Sequence, residues 1–325
     1  MQYRKLGKSD LEVSAVIFGA WAIGGWWWGP QDDDDSIKAI HAAIDAGITT
    51  IDTAPMYGAG HSEEVVGRAI KGRRDEVVIA TKCGLVWDRT DGEFSFHSDE
   101  LGGIDVYKCL KPESIKKECE ASLKRLGVDV IDLYQPHWPD STTPLEDTMS
   151  ALLELQQEGK IKTIGVCNFT PQMMATCLES GRIESDQPLY NLIQRDIEKE
   201  IIPFCIENQM GLIVFSPLAQ GLLTGKVTMD REFKEGDNRA GMRWFKPENR
   251  QKVLSALDQI SDLPGKYNCS FAQLTIGWTI AQPGITSAIV GARNTEQSLE
   301  NAKGADVIIE EADLQRIRAA FEAIS

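Results

Sequence analysis

Four side chains in the first half of the chain carry the chemistry of a proton-transfer site. Asp52 and Lys82 each end a short apolar segment. Tyr57 lies in the loop after Asp52, and His137 follows the apolar run 130–136. Polar groups at the carboxyl ends of successive parallel strands meet at one mouth of a β/α barrel. A carboxylate, a phenol, an amine and an imidazole gathered there can transfer a proton to or from a substrate, so we expect these four residues to be catalytic.

Apolar strand-like runs alternate with helical patterns along the whole chain, which we expect to form one domain over residues 1–325. A hairpin is predicted at 2–14. Strands are predicted at 15–19, 49–52, 77–81, 129–135, 161–166, 184–189, 211–216 and 286–290. Helices are predicted at 34–46, 62–71, 113–126, 144–158, 170–180, 196–208, 249–262, 270–281, 295–302 and 311–323. This order indicates an α/β protein with a (β/α)8 TIM barrel, and an open doubly wound sheet is the alternative, because periodicity alone does not close a barrel.

Two long polar stretches interrupt this alternation at residues 84–110 and 217–248. Both follow predicted strands, so both lie at the carboxyl end of the expected barrel. Loops of this length inside a compact domain are usually functional. We therefore expect them to wall a pocket above the four candidate catalytic residues.

The composition excludes several classes of function. Of the 325 residues, 42% are hydrophobic and 26% charged, which is ordinary for a globular protein in water. The net charge of −15 argues against non-specific binding to nucleic acid. No apolar run approaches the ~18 residues of a membrane span, and the N-terminus lacks the apolar core of a secretory signal. Seven scattered cysteines without a CxxC pair suit reduced thiols, so we expect a cytoplasmic protein without a metal cluster.

Three local motifs allow two interpretations each. The acidic run 32–35 could bind a metal ion, but it opens a helical pattern, where carboxylates favour the positive end of the helix dipole. Residues 221–226 resemble a P-loop that is one residue short, and we favour a turn whose backbone N–H groups approach a phosphate. The run 26–28 of three tryptophans could stack on nucleobases, but in an acidic protein we expect it to wall or cover an apolar pocket.

The order of several short motifs resembles the aldo-keto reductase family. The first is Asp52-Thr53-Ala54-Pro55-Met56-Tyr57-Gly58, followed by Gly60, Ser62-Glu63 and Gly67. The later ones are Lys82, His137-Trp138, Gly165-Val166-Cys167-Asn168-Phe169, Gln187, Tyr190-Asn191, and Gly291-Ala292-Arg293-Asn294 with Gln297, Glu300 and Asn301. A bacterial branch that includes general stress reductases and potassium-channel β subunits is similar at Leu6-Gly7, Val13-Ser14, Gly24-Gly25, Pro217-Leu218 and 221–226. The resemblance extends from Arg4 to about Asn301.

This resemblance implies NADPH-dependent reduction of a small aldehyde or ketone to an alcohol. Reduction requires a hydride at carbon and a proton at oxygen, and Tyr57 is the implied acid. A free phenol has a pKa near ~10. We expect the ammonium of Lys82 to lower the pKa of Tyr57, and Asp52 to hold Lys82 through an ion pair. His137 is expected to bind and orient the substrate oxygen.

The resemblance also implies a site for the nicotinamide ring. Asn168 and Gln187 are expected to bind its carboxamide. Family members often carry serine where this chain has Cys167. Many stack a tyrosine of the seventh barrel strand on the ring, a region that holds Phe215, Ser216 and Pro217 here.

The adenosine end of the cofactor is expected near the eighth strand, because barrel phosphate sites lie after strands seven and eight. Arg293 can bind a 2′-phosphate there, since its guanidinium is planar and always charged. The other expected cofactor contacts are Trp21, Asp52, Leu218, Gly221, Lys226, Gly291, Gln297, Glu300 and Asn301. The expected walls of the substrate pocket are Trp21, Trp87 and Trp138.

An alternative function follows from the same branch of the family. The chain could be a nicotinamide-binding regulatory subunit of the channel-β type, in which cofactor state signals to a partner and turnover is small. The four catalytic candidates do not separate these functions. The absence of a long segment before Arg4 favours the enzyme.

Overall fold

The computed structural model describes residues 1–29, 31–233 and 237–324. Its strands are β1 (Tyr3–Lys5), β2 (Glu12–Ser14), β3 (Val16–Gly19), β4 (Thr50–Asp52), β5 (Val78–Cys83), β6 (Leu85–Val86), β7 (Glu93–Ser98), β8 (Ile104–Lys108), β9 (Ile131–Pro136), β10 (Ile161–Ile164), β11 (Val166–Cys167), β12 (Ser185–Gln187), β13 (Gly211–Phe215) and β14 (Ile285–Gly291). Its helices are α1 (Asp33–Asp45), α2 (His61–Ala69), α3 (Pro112–Leu126), α4 (Leu145–Gln157), α5 (Pro171–Ser180), α6 (Ile201–Glu207), α7 (Pro247–Asp258), α8 (Leu263–Lys266), α9 (Phe271–Ala281), α10 (Thr295–Gly304) and α11 (Glu311–Phe321).

A closed parallel barrel forms the centre of the molecule. Its sheet runs in the order β10-β9-β5-β4-β3-β14-β13-β12-β11. The first and last strands in this order, β10 and β11, are two halves of one strand that is interrupted only at Gly165. The first half pairs with β9 and the second with β12, so this strand joins the two edges. The predicted (β/α)8 barrel is confirmed, and the open sheet is excluded.

The predicted N-terminal hairpin, β1 with β2, is also confirmed. Its apolar side chains belong to a small buried cluster with residues from strands of the barrel. The cluster consists of Leu6, Val13, Ile17, Ala80, Leu133, Ile213 and Ile289. Burial of these side chains fills the barrel interior and closes its amino end, which leaves the carboxyl end for the site.

The helices surround the barrel and bury their apolar faces against the outer side of the strands. The acidic run at residues 32–35 begins α1: the carboxylate of Asp32 accepts a hydrogen bond from the backbone N–H of Asp35 at 2.9 Å. This N-cap confirms the helix interpretation of the run. None of the described helices is long and apolar enough to cross a membrane.

The polar stretch 84–110 differs from the loop that we expected. It contains a three-stranded antiparallel sheet in the order β6-β8-β7. The pairing of β7 with β8 shifts register between Phe94 and Phe96, and Phe96 packs on a satellite cluster beside the barrel mouth. The predicted helix at 196–208 is shorter, with a single 3₁₀ turn at Asp196–Glu198 and then α6. The second long stretch holds 3₁₀ turns at Ala219–Thr224, Asn238–Gly241 and Arg243–Phe245.

Two glycines set the loop that carries Tyr57. A Cβ atom on Gly58 would lie 2.3 Å from the carbonyl oxygen of Gly24, and Gly58 has a φ of +68°. A Cβ atom on Gly24 would in turn lie 2.6 Å from the carbonyl carbon of Tyr57. The loops after β3 and β4 therefore touch backbone to backbone, a distance that only glycine permits. This contact fixes the backbone beside the phenol.

Replacing Gly58 tests this contact. Gly72 also has positive φ, +80°, but nothing lies within 4 Å of the place of its Cβ. We expect Gly72→Ala to lower the free energy of unfolding by about 1–2 kcal/mol, the cost of a left-handed alanine. Gly58→Ala should cost about 1–3 kcal/mol more, because its Cβ overlaps another backbone. Urea unfolding of both variants measures the difference, and equal losses would show that the two loops separate freely.

Candidate active site

A cleft of about 770 Å³ opens at the carboxyl end of the barrel. Its floor is formed where β4, β5, β9 and β12 end, and its walls come from the loops after β3, β5 and β13. The two long loops predicted to wall a pocket both contribute side chains, among them Ser95 and Phe96 from the first and Arg239 from the second. A cavity of this size fits a cofactor and a small substrate together.

A buried ion pair lies at the floor of this cleft. Lys82 is fully buried and donates from its Nζ to Asp52 Oδ1 at 2.7 Å, to the carbonyl oxygen of Thr53 at 3.0 Å and to the hydroxyl oxygen of Tyr57 at 3.3 Å. Burial is the largest single influence and acts to lower the pKa of Lys82, but the neighbouring groups, with the charge of Asp52 first among them, together outweigh it and the pKa is raised. Lys82 is therefore held as a cation, with all three of its N–H groups in hydrogen bonds.

The geometry of Tyr57 leaves its proton facing away from Lys82. An ammonium group has no lone pair, so the phenol oxygen must accept this hydrogen bond. The O–H hydrogen is then free to point into the cleft, which Tyr57 lines.

The expected lowering of the phenol pKa does not occur. Burial raises the pKa of Tyr57 to about 12, although the charge of Lys82 acts to lower it. The desolvation of a phenolate exceeds the attraction of one ammonium that already faces Asp52. In the protein without ligand, Tyr57 therefore stays protonated across the physiological range of pH.

His137 lies beside Tyr57, with their ring centroids 5.8 Å apart in an edge arrangement. Burial, with the nearby charge of Lys82 as a second cause, holds the pKa of His137 well below its usual value. The imidazole is therefore neutral and able to donate one hydrogen bond without bringing a second positive charge to the floor. All four predicted catalytic residues converge at this point.

The two amides predicted to bind a carboxamide lie next to this cluster, but each already has a partner. Gln187 donates from Nε2 to Asp52 Oδ2 at 2.8 Å, so it holds the carboxylate on the side opposite Lys82. Asn168 donates from Nδ2 to the carbonyl oxygen of His137 at 3.1 Å and adopts a positive φ of 62°. A strained backbone at a side chain that lines a cleft is a frequent feature of functional sites. Cys167, the last residue of β11, donates to the carbonyl oxygen of Gln187 at 3.1 Å.

The segment after β13 continues the cleft away from the floor. Phe215, Ser216, Pro217, Leu218 and Gly221 all line it, as expected. Phe215 also packs on the interior cluster of the barrel, which orients its ring at the top of the strand. Ser216, Ala219 and Gln220 have positive φ values of 55°, 44° and 51°. This concentration of strained turns supports the interpretation of residues 221–226 as a turn for ligand contact rather than a P-loop.

The predicted residues near α10 line the far end of the cleft, and several hold one another. Lys226 donates to Glu300 Oε2 at 2.8 Å across the rim. Gln297 accepts from the backbone N–H of Arg293 at 2.9 Å. Asn301 donates to the carbonyl oxygen of Gly291 at 3.1 Å. These contacts fix the backbone around Arg293 as well as lining the cleft.

Arg293 is half-buried at this end, and within the described ranges its guanidinium has no ion pair. Burial is the main cause that lowers its pKa, and the charge of Arg239 is the next. Arg231 and Arg239 line the same part of the cleft. Neither arginine was predicted from the sequence, although basic residues in a long loop of an acidic chain were a usable signal.

Tryptophans form the opposite wall. Trp21, Trp26, Trp27, Trp28 and Trp138 all line the cleft, so the tryptophan run belongs to an apolar wall, as favoured above. Trp26 stacks on Phe96 with centroids 5.5 Å apart. Trp87, in contrast, packs on the satellite cluster of Trp26, Met56, Leu85 and Val106 and does not line the cleft. Trp87 follows directly after β6, and its side chain packs beside the cleft rather than into it. This direction depends on the antiparallel sheet, which was not predicted from the sequence.

Comparisons with known proteins agree with this geometry. Residues 15–322 match the Aldo/keto reductase family. The chain is 39% identical to the NADH-specific methylglyoxal reductase of Escherichia coli, over 98% of both chains. It is also 39% identical to the aldo-keto reductase YhdN of Bacillus subtilis, over 91% of this chain and 86% of that protein.

A solved structure gives the same result at the level of the fold. The glycerol dehydrogenase AKR11B4 from Gluconobacter oxydans superimposes with a TM-score of 0.88 and 36% identity, over 99% of this chain and 95% of that one. Family match, sequence identity and fold together show that this chain belongs to the aldo/keto reductase family.

Proposed function

We propose that this protein is an NADPH-dependent reductase that converts small aldehydes or ketones to alcohols, with Tyr57 as the proton donor. The observation that carries the proposal is the buried cluster of Asp52, Lys82, Tyr57 and His137 at the floor of one large cleft. Its outward-facing phenol and neutral imidazole supply the two donors that a carbonyl oxygen needs.

The four residues divide the work at the carbonyl oxygen. Residues at the ends of β12 and β13, Gln187 and Phe215, would hold a nicotinamide, which would supply the hydride. His137 donates a hydrogen bond that orients the carbonyl, and Tyr57 transfers its proton to the oxygen as negative charge develops there. Lys82 stabilises the phenolate left behind, and Asp52 holds Lys82 in place for that step. Tyr57 regains a proton from water after the product leaves the cleft.

The residues around the cleft suit the nicotinamide half of the cofactor. Asn168 has an amide oxygen left for a carboxamide, since among the described residues only its nitrogen is engaged. The amide nitrogen of Gln187 is engaged with Asp52, so its contact with a carboxamide would use the oxygen. Phe215 is the aromatic ring of β13 that lines the cleft, and we assign it the stacking role.

The choice of NADPH rests on the arginines. A half-buried arginine such as Arg293 favours a ligand group with high negative charge. Arg231 and Arg239 line the same cleft, and their charges act on Arg293. NADPH differs from NADH by a 2′-phosphate, which a guanidinium binds with charge-assisted hydrogen bonds. The relative from E. coli is named as NADH-specific, so we base the choice of NADPH on the arginines of this chain and not on that relative.

We also place the protein in the cytoplasm. All seven cysteines are free, and six of them are buried. Free thiols in this number suit a reducing compartment.

Tyr57→Phe keeps the ring and removes only the acid. We expect turnover of a small aldehyde with NADPH to fall ~10²-fold or more, the range for loss of general acid catalysis. Binding of NADPH, followed by tryptophan fluorescence, should stay close to that of the wild type. Turnover near that of the wild type would remove Tyr57 from the mechanism.

The two directions of the reaction should respond differently to pH. Reduction needs a protonated Tyr57 and a neutral His137. Both conditions hold between pH 6 and pH 8, because the pKa of Tyr57 is about 12 and that of His137 lies well below its usual value. We expect kcat/KM for reduction to stay flat there.

Alcohol oxidation needs the phenolate, whose fraction rises tenfold per pH unit below the pKa, so its rate should climb from pH 7 to about pH 10. Initial rates in both directions check this. A plateau in oxidation below pH 9 would show that Tyr57 ionises far more easily than the structure indicates.

Arg293→Met should decide the choice of cofactor. Loss of a charge-assisted contact worth roughly 1.5–3 kcal/mol weakens NADPH about 10- to 150-fold. The affinity for NADH, which lacks the phosphate, should change much less. Arg316→Met is the matched control, because Arg316 pairs with Asp262 away from the cleft and the change in net charge is the same.

Fluorescence titration of both variants with both dinucleotides makes this comparison. If Arg293→Met weakens NADH and NADPH equally, Arg293 holds the adenosine or the loop and not the 2′-phosphate.

A further inference from the structure

Arg239 lies where the two halves of the cleft meet. Its side chain is only 13% exposed, although it belongs to a long surface loop. It lines the cleft between the segment after β13 and the tryptophan wall. The function proposed above gives it no role in the chemistry.

On one side, Arg239 contacts the part of the cleft assigned to the dinucleotide. Its Nη1 donates to the carbonyl oxygen of Gln220 at 3.3 Å, and Nη2 pairs with Asp237 at 2.7 Å. A Cβ atom on Gly221 would lie 3.7 Å from Nη1, so the guanidinium borders the strained turn. Its charge also acts on Arg293.

On the other side, Arg239 contacts the substrate wall. Its guanidinium carbon lies 5.5 Å from the ring centroid of Trp28, within cation–π range. Trp28 meets Trp21 edge to face, with centroids 5.5 Å apart, and Trp21 lies 6.3 Å from the ring of Tyr57. An unbroken series of ring contacts thus connects Arg239 to the proposed proton donor.

The segment between β7 and β8 holds Arg239 and Trp28 together through Glu100. Glu100 accepts a hydrogen bond from the backbone N–H of Trp27 at 3.2 Å and one from Asn238 Nδ2 at 3.4 Å. The residue before Trp28 and the residue before Arg239 therefore share one carboxylate. The contact between Arg239 and Trp28 is supported from outside the cleft.

We propose that Arg239 is a positioning residue that couples the dinucleotide half of the cleft to the substrate half, by holding Trp28 against Trp21 from the loop that borders the cofactor. The inference rests on the reductase function proposed above. It assigns Arg239 to aldehyde binding as well as to the cofactor region, and it assigns Trp28 to aldehyde binding alone.

A double-mutant cycle between Arg239 and Trp28 tests this coupling, with benzaldehyde and NADPH as the probes. Arg239→Gln should raise the KM for benzaldehyde about 3- to 30-fold, the size of a largely desolvated cation–π contact, with a smaller change in kcat. Trp28→Leu should raise the same KM and leave the KM for NADPH unchanged. In the Trp28→Leu background, Arg239→Gln should have little further effect on benzaldehyde while still raising the KM for NADPH.

Arg243→Gln is the matched control. Arg243 lies over the ring of Trp244, 5.0 Å from its centroid, in the same loop but outside the cleft. Its replacement should leave both KM values unchanged. If Arg239→Gln does not give folded protein by thermal melting, Arg239→Lys replaces it in the cycle, because lysine lacks the planar group that pairs with Asp237 and stacks on Trp28.

Two outcomes overturn the inference and are distinct. Independent effects of Arg239→Gln and Trp28→Leu on the KM for benzaldehyde would show that the residues are not coupled, while reductase activity stands. Absence of carbonyl turnover by the wild-type chain with either dinucleotide would overturn the proposed function, and this inference with it.

Discussion

The ion pair between Lys82 and Asp52 is the interaction on which the rest of the site depends. Both side chains are almost completely buried, and removing such charges from water costs several kcal/mol for each. The cost is offset because every polar atom has a partner: Lys82 reaches Thr53 and Tyr57, and Gln187 satisfies the second oxygen of Asp52. Three strand ends of the barrel, those of β4, β5 and β12, are thereby tied to one point. Loss of either charge would leave the other buried and unpaired, which is far worse than the loss of both.

The cleft has two electrostatically different halves. The substrate half has aromatic walls, a neutral His137 and a protonated Tyr57, so a carbonyl there meets two neutral donors. The other half holds Arg231, Arg239 and Arg293, in a protein whose net charge is −15. A local positive region of this kind attracts a phosphate against the repulsion of the whole surface, and such local fields are strong because the surrounding protein excludes water.

Much of this arrangement could be predicted from the sequence, for a physical reason. Asp52, Lys82 and His137 follow short apolar strands, and the geometry of a parallel barrel brings such positions together whatever the loops do. Features that depend on loop conformation could not be predicted in this way. Trp87 was predicted to wall the substrate pocket because it follows the strand that carries Lys82. In the structure its side chain packs on the satellite cluster instead. Residues 84–110 were polar enough to suggest a loop, although Phe94 and Phe96 alternate with polar residues as in the strand that they form.

The pKa of Tyr57 could not be predicted either, because it depends on the balance between burial and a neighbouring charge. The sequence indicates which groups are close, and Lys82 is indeed 3.3 Å from the phenol oxygen. It does not indicate how much water the fold removes from around them. The same holds for Arg231 and Arg239: their types and loop were visible, but their convergence on Arg293 needed the folded loop.

The contact between Gly24 and Gly58 has a consequence for evolution and for engineering. Barrel enzymes acquire new specificities by exchange of the loops at the carboxyl ends of their strands. Here the loop after β3 cannot change alone, because its backbone is the surface on which the loop of Tyr57 rests. A graft that brings any side chain to position 24 must also move the proton donor. Loops after β3 and β4 therefore form one inheritable unit, and a designer who seeks a new substrate would exchange them as a pair.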